Sequence, residues 1–75
     1  MSDRELLAAV GKRIKVARQT AGLHPQDLAR KAAVSVKTVY AWERGAVDMG
    51  IGGLVRVAGL LGGTAASLLG EGTGP

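Results

Sequence analysis

Eight basic residues, Lys12, Arg13, Lys15, Arg18, Arg30, Lys31, Lys37 and Arg44, fall in one stretch that holds only two acids, Asp27 and Glu43. Eight against two gives that stretch a balance of +6, in a 75-residue chain whose total is +4. The chemistry open to it is neutralisation of a polyanion, because clustered cations unmatched by carboxylates attract phosphate-rich partners. On charge alone, a solvated basic helix accounts for the same residues equally well. Covalent chemistry has far less to work with. No nucleophile has an adjacent base, the single His24 cannot build an imidazole cluster, and the absence of Cys removes thiolate metal sites and disulfides. The glycine run Gly50-Ile51-Gly52-Gly53 lacks the preceding strand and the Lys-Ser/Thr of a phosphate loop. These residues point away from an enzyme, a metal, a cofactor or a small-molecule ligand.

The elements that must hold the basic residues are built without staples. A chain this short buries only about 60% of its unfolded surface, so it depends on apolar packing or on oligomerisation. Hydrophobic residues make up 47% of it, but Tyr40 and Trp42 are the only aromatics, which makes the expected core aliphatic. Beyond Arg44 the charges thin to Asp48, Arg56 and Glu71, while ten of the twelve glycines fall from Gly45 onward. A basic half is joined to a nearly neutral half, suggesting a polyanion-binding face and a packing or association face.

Helix signals recur along the chain. Ser2-Asp3-Arg4-Glu5 fits a capping box, and Leu6, Val10, Ile14, Ala17 and Ala21 follow at intervals of four and three, with Lys12, Lys15 and Gln19 pointing away. Gly22 is the stop. Pro25 at a first helical position and Asp27 in the first turn open a short second helix, with Leu28, Ala29 and Ala32 as its apolar face. Ser35 caps a third helix, Val36 to Arg44, whose Val39 and Trp42 face one way, and Gly45 ends it. A fourth helix begins at Gly50, with Ile51, Leu54, Val55, Ala58 and Leu61 inward and Gly52, Gly53, Arg56 and Gly59 outward. Each interior glycine costs about 1 kcal/mol relative to alanine, so this helix leans on tertiary contact. Gly62-Gly63 breaks it, and Thr64 caps a last short helix ending at Leu68-Leu69. The pattern predicts an all-α chain: one domain over residues 1–69, a bundle of five short helices with no strand, and a flexible tail over 70–75.

Two alternatives bear on location. The N-terminal MSDRELLAAVGKR has charges at Asp3, Arg4 and Glu5 and is not a secretory signal. Ile51 to Leu69 is a 19-residue stretch with one charge and a Gly59/Gly63 pair, a weak membrane candidate. Arg56 near its middle adds an insertion cost of about 2.5 kcal/mol or more, and its glycines dilute its apolarity. A cytoplasmic, nucleoid-associated protein with no membrane partner is the expectation.

A tight turn joining the second and third helices makes a helix-turn-helix. At this point the chain resembles the Cro and repressor (Xre-type) helix-turn-helix family. The match runs from Val10 to Leu69, about four fifths of the chain: V-G-K-R-I-K-V-A-R-Q-T-A-G-L, then D-L-A-R-K-A-A-V-S-V-K-T-V-Y-A-W-E-R-G, then I-G-G-L-V-R-V-A-G-L-L-G. The middle segment is the specific one, and the flanking two support it.

The resemblance implies a lambda-repressor-like DNA-binding domain whose third helix enters the major groove of double-stranded DNA, where base edges carry a readable donor and acceptor code. It implies a transcriptional regulator, a repressor or Cro-like phage, plasmid or bacterial protein, acting as a dimer on an inverted repeat. Carried over by position, Val36, Lys37, Tyr40 and Ala41 are base readers. His24, Pro25 and Gln26 at the start of the second helix, with Thr38 and Arg44, are phosphate contacts. Trp42 falls on a buried position, and Arg18 and Glu43 on positions that form an internal ion pair. Three positions depart from the family pattern. Pro25 replaces a frequent glutamine, Ala33 stands where glycine is usual in the turn, and Ala46-Val47-Asp48 lacks basic residues that touch backbone. They imply weaker phosphate anchoring per subunit and a greater reliance on a homodimer, expected through the small residues from Leu60 to Ala65. A second reading is a protein-interaction adaptor, antitoxin-like or coactivator-like, using the near-neutral surface of Gly52, Gly53, Gly59 and Leu60.

Overall fold

Helix starts in this chain are set by side chains that replace missing backbone partners. Ser2 Oγ accepts from the Glu5 amide at 3.2 Å and its hydroxyl donates to Glu5 Oε1 at 3.2 Å, which opens α1, Asp3–Thr20. The His24 amide donates to Asp27 Oδ2 at 2.8 Å ahead of α2, Pro25–Ala32. Ser35 Oγ accepts from the Thr38 amide at 3.3 Å and begins α3, Val36–Arg44. Asp48 Oδ1 takes the Gly50 amide at 2.9 Å at the start of α4, Gly50–Leu60. Thr64 and Ser67 exchange amide-to-hydroxyl bonds at 3.2 Å to define α5, Ala65–Leu68. The computed structural model describes residues 2–70, and among these it contains five helices and no strand. Residues 71–75, most of the expected tail, lie outside the described residues.

The turn between α2 and α3 is the tightest connection with a conformational demand. Ala33 sits in the left-handed region at φ 58° and ψ 42°, the one non-glycine residue among those described with positive φ. The amide of Val34 then reaches back to the Ala29 carbonyl at 3.0 Å, closing α2. An alanine Cβ in that region costs roughly 1–2 kcal/mol relative to glycine, so the turn is held against local strain by what α2 and α3 pack on.

Those contacts form one aliphatic core. Val10 and Ile14 of α1, Leu28 and Ala29 of α2, Val39 of α3, Leu54, Val57 and Ala58 of α4, and Leu68 of α5 are buried together. α1 lies on α3, α3 on α2, and α4 on both α2 and α5. Arg13 Nη1 also donates to the Leu68 carbonyl at 3.4 Å, fastening α5 to α1.

The inward face of α4 is rotated from the one its sequence pattern suggests. Ile51 is 71% exposed and Val55 56% exposed, whereas Val57 is 2% exposed. The buried set is therefore Leu54, Val57 and Ala58, with Leu61 half-buried below it. Two apolar rows exist on this helix, and packing on α2 and α5 selects the second. At the ends of the α1 row, Leu6 is at the rim and Ala21 is exposed beyond the helix. No helix among the described residues is long and apolar enough to cross a membrane.

Candidate nucleic-acid interface

α3 divides its side chains sharply between inside and outside. Val39 is fully buried, and Trp42 is half-buried against the core. On the other side Lys37, Tyr40 and Arg44, spaced i, i+3 and i+7, form one exposed row. Of the four expected readers, Lys37 and Tyr40 are thus brought to the surface together. Val36 and Ala41 are half-buried, and Val36 also packs against the core, so only part of its apolar surface faces outward. The Thr38 hydroxyl shares a hydrogen bond with Ser35 Oγ at 3.1 Å, placing it at the opening turn of the same helix.

What fixes this helix is a buried ion pair. Arg18 Nε donates to Glu43 Oε2 at 2.7 Å and Nη2 donates to Oε1 at 3.2 Å, a two-point fork between α1 and α3. The remaining nitrogen, Nη1, donates to the Leu23 carbonyl at 2.9 Å. The two side chains are 8% and 7% exposed. The hydrogen bonds that Arg18 donates to Glu43 raise its pKa above the ordinary arginine value, burial opposes the rise, and the Glu43 charge adds to it. Stabilisation from a group raised in this way is complete below its unfolded pKa and is lost only as pH climbs through the folded one. Arg18 therefore stays charged from acid to mildly alkaline solution.

Backbone contact adds to the ion pair. A Cβ at Gly11 would lie 2.4 Å from the Trp42 carbonyl oxygen and 2.7 Å from that of Glu43, and one at Gly45 would lie 2.8 Å from the Ala8 backbone. α1 and the C-terminal half of α3 thus approach at main-chain distance, through glycine on both sides. The sequence placed Gly45 as a helix stop and gave Gly11 no role. Its spacing of seven from Arg18, on the face that meets α3, is the signal that could have found it.

The expected phosphate contacts are spread over two ends. His24 and Gln26 are exposed at the α2 N-terminus and Pro25 is half-buried. Pro25 brings no amide, and the His24 amide is already spent on Asp27, whose other oxygen lies 3.5 Å from Arg30. An acid therefore occupies part of the place a phosphate would take, and the exposed Gln26 side chain is the freer donor there. Arg44 is exposed at the far end of α3.

Beside Arg44 the structure gathers residues that the sequence did not connect. A cleft between α1 and α3 is lined by Lys15, Arg18, Tyr40, Glu43 and Arg44. Lys15 belongs to the α1 row Ala8, Gly11, Lys15, Arg18, whose other members meet Gly45, the α3 carbonyls and Glu43. It is exposed, as its polarity suggests, but it stands at the edge of the α3 contact rather than on a free face. Among the described residues, no group of three or more His, Cys, Asp or Glu is placed to hold a metal ion. Neither a family model nor a curated protein sequence matches the chain.

Proposed function

We propose that the protein is a sequence-specific binder of double-stranded DNA, a cytoplasmic transcriptional regulator in which α2 and α3 act as a helix-turn-helix of the lambda-repressor-like kind. The observation that carries this reading is the exposed row Lys37, Tyr40 and Arg44 on a nine-residue helix that Glu43 locks to α1. A helix fills the major groove, and a fixed helix lets a few side chains report on base identity instead of averaging over orientations. Lys37 donates to guanine O6 and N7, the exposed parts of Val36 and Ala41 meet a thymine methyl, and Tyr40 reaches a base or a phosphate. Gln26, His24 and Pro25 at one end, Thr38 near the cap, and Arg44 at the other end border the phosphates. The chain acts by binding, not as an enzyme, and a homodimer through Leu60 to Ala65 places two copies of α3 on an inverted repeat.

Selection of bound duplexes from a random pool tests this directly. An enriched palindrome, bound with an affinity that falls steeply as salt rises, is the expected result. A flat salt response over many duplexes, with nothing enriched, sinks the reading. A second reading, a protein-interaction adaptor, is favoured by the exposed Ile51 and Val55 on α4. Lys37→Ala with Tyr40→Ala separates the two, since a DNA reader loses discrimination between sites while an adaptor keeps its partner.

A further inference from the structure

We infer that the cleft between α1 and α3 is a phosphate site, in which Lys15 and Arg44 hold one oxyanion beside the Tyr40 hydroxyl, and that its source is a backbone phosphodiester of the bound duplex. The inference rests on the DNA-binding reading and adds a site to it.

The charge of the cleft is the first ground. Three cations, Lys15, Arg18 and Arg44, line it with a single carboxylate, Glu43. Both oxygens of that carboxylate are held by Arg18, at 2.7 and 3.2 Å. Nothing acidic in the cleft is left for Lys15 or Arg44, so two like charges from different helices face the same opening unneutralised. Dimension is the second. At about 330 Å³ the open cleft has room for a phosphate group. The donors also suit the shape of the ligand. A guanidinium fork and an ammonium from two helices, with a phenol lining the same cleft, match an oxyanion that offers oxygens in several directions.

Position supplies the source. Tyr40 and Arg44 belong to the same exposed row as Lys37. Seven residues of helix separate Lys37 from Arg44, roughly 10 Å at 1.5 Å per residue. The major groove is about 12 Å wide, so a helix that presents Lys37 to base edges brings its Arg44 end to the phosphates at the groove wall. Lys15 stands across the cleft from that end. The site stands in for anchoring that the sequence withholds elsewhere, since Pro25 lacks an amide and Ala46-Val47-Asp48 lacks cations.

Duplex binding measured by fluorescence anisotropy at several salt concentrations tests the site, on wild type, Lys15→Ala, Lys15→Arg and Arg56→Ala. Lys15→Ala should weaken binding by the same factor on every duplex, roughly tenfold for each subunit bound, and lower the salt slope by about 0.9 per subunit, about 1.8 for a dimer that loses two phosphate contacts. Lys15→Arg should restore the slope, and Arg56→Ala, exposed on α4 outside the basic stretch, should leave it unchanged. Equal slopes for wild type and Lys15→Ala overturn the site while leaving the DNA reading intact, because wild type still binds. If wild type binds no duplex, the DNA reading fails and the duplex source fails with it. Inorganic phosphate titrated into the labelled wild-type chain then decides the remainder. Saturable amide shifts at Lys15, Tyr40 and Arg44 that vanish in Lys15→Ala identify free phosphate as the source, and their absence overturns the oxyanion site altogether.

Discussion

Arg18 and Glu43, 25 residues apart, meet in a two-point ion pair that leaves neither side chain more than 8% exposed. Arg18 spends its third nitrogen on the Leu23 carbonyl, so one guanidinium holds α1, the turn after it and α3. No buried side-chain nitrogen or oxygen among the described residues lacks a hydrogen-bond partner. The pair is therefore satisfied as a unit, and its energetics should be those of a unit.

Removing one partner strands the other charge in a dry place. Glu43→Leu should lower stability by about 3 kcal/mol or more, and Arg18→Met similarly, whereas Arg18→Met with Glu43→Leu should cost less than the sum of the singles. Urea unfolding of the four proteins closes the cycle. Additive losses would show that the pair is not coupled.

Glycine has opposite meanings on α1 and α4. Gly11→Ala forces a Cβ to 2.4 Å from the Trp42 carbonyl oxygen, so the helices must separate. The expected loss is about 3 kcal/mol, the upper end of ordinary overpacking. A Cβ at Gly52 meets nothing within 4 Å, and Gly52→Ala should gain about 0.8 kcal/mol from helix propensity and a less flexible unfolded chain. Melting temperatures read both, since 1 kcal/mol moves a domain of this size by about 4–8 °C.

The rotated face of α4 can be checked by a matched pair. Leu54 is 6% exposed and Ile51 71%. Leu54→Ala should cost about 2–4 kcal/mol and Ile51→Ala no more than about 0.5. Equal losses would return Ile51 to the inward face.

Ala33→Gly should stabilise the fold. It removes a Cβ held at φ 58°, a relief of roughly 1 kcal/mol that outweighs the added freedom of the unfolded chain. Ala33→Val should do the reverse, by more, because a β-branched residue tolerates that region worst. A lower melting temperature for Ala33→Gly would mean that the turn carries no strain.

Much of this architecture was legible in sequence because it is written locally. Ser2, Ser35 and Thr64 each cap within three residues of themselves, and Gly22 and Gly45 supply the positive φ that ends a helix. A cap needs no knowledge of the rest of the chain. The face of α4 does. Ile51, Leu54, Val55 and Ala58 satisfy helical spacing, and so do Leu54, Val57, Ala58 and Leu61. Only the direction from which α2 and α5 arrive distinguishes the two rows. The cleft was hidden for a related reason. Lys15 reads as one more solvent-facing lysine until α1 is laid along α3, and only then does it stand beside Tyr40 and Arg44.

The division of α3 into a locked side and an open side has a consequence for how this chain could be altered. Val39, Trp42 and Glu43 anchor the helix, while Lys37, Tyr40 and Arg44 stand exposed on it. The open positions are thus interchangeable parts. A row of different side chains grafted at 37, 40 and 44 would inherit the same rigid mount, so ligand preference in this chain is free to diverge while the scaffold beneath it stands still.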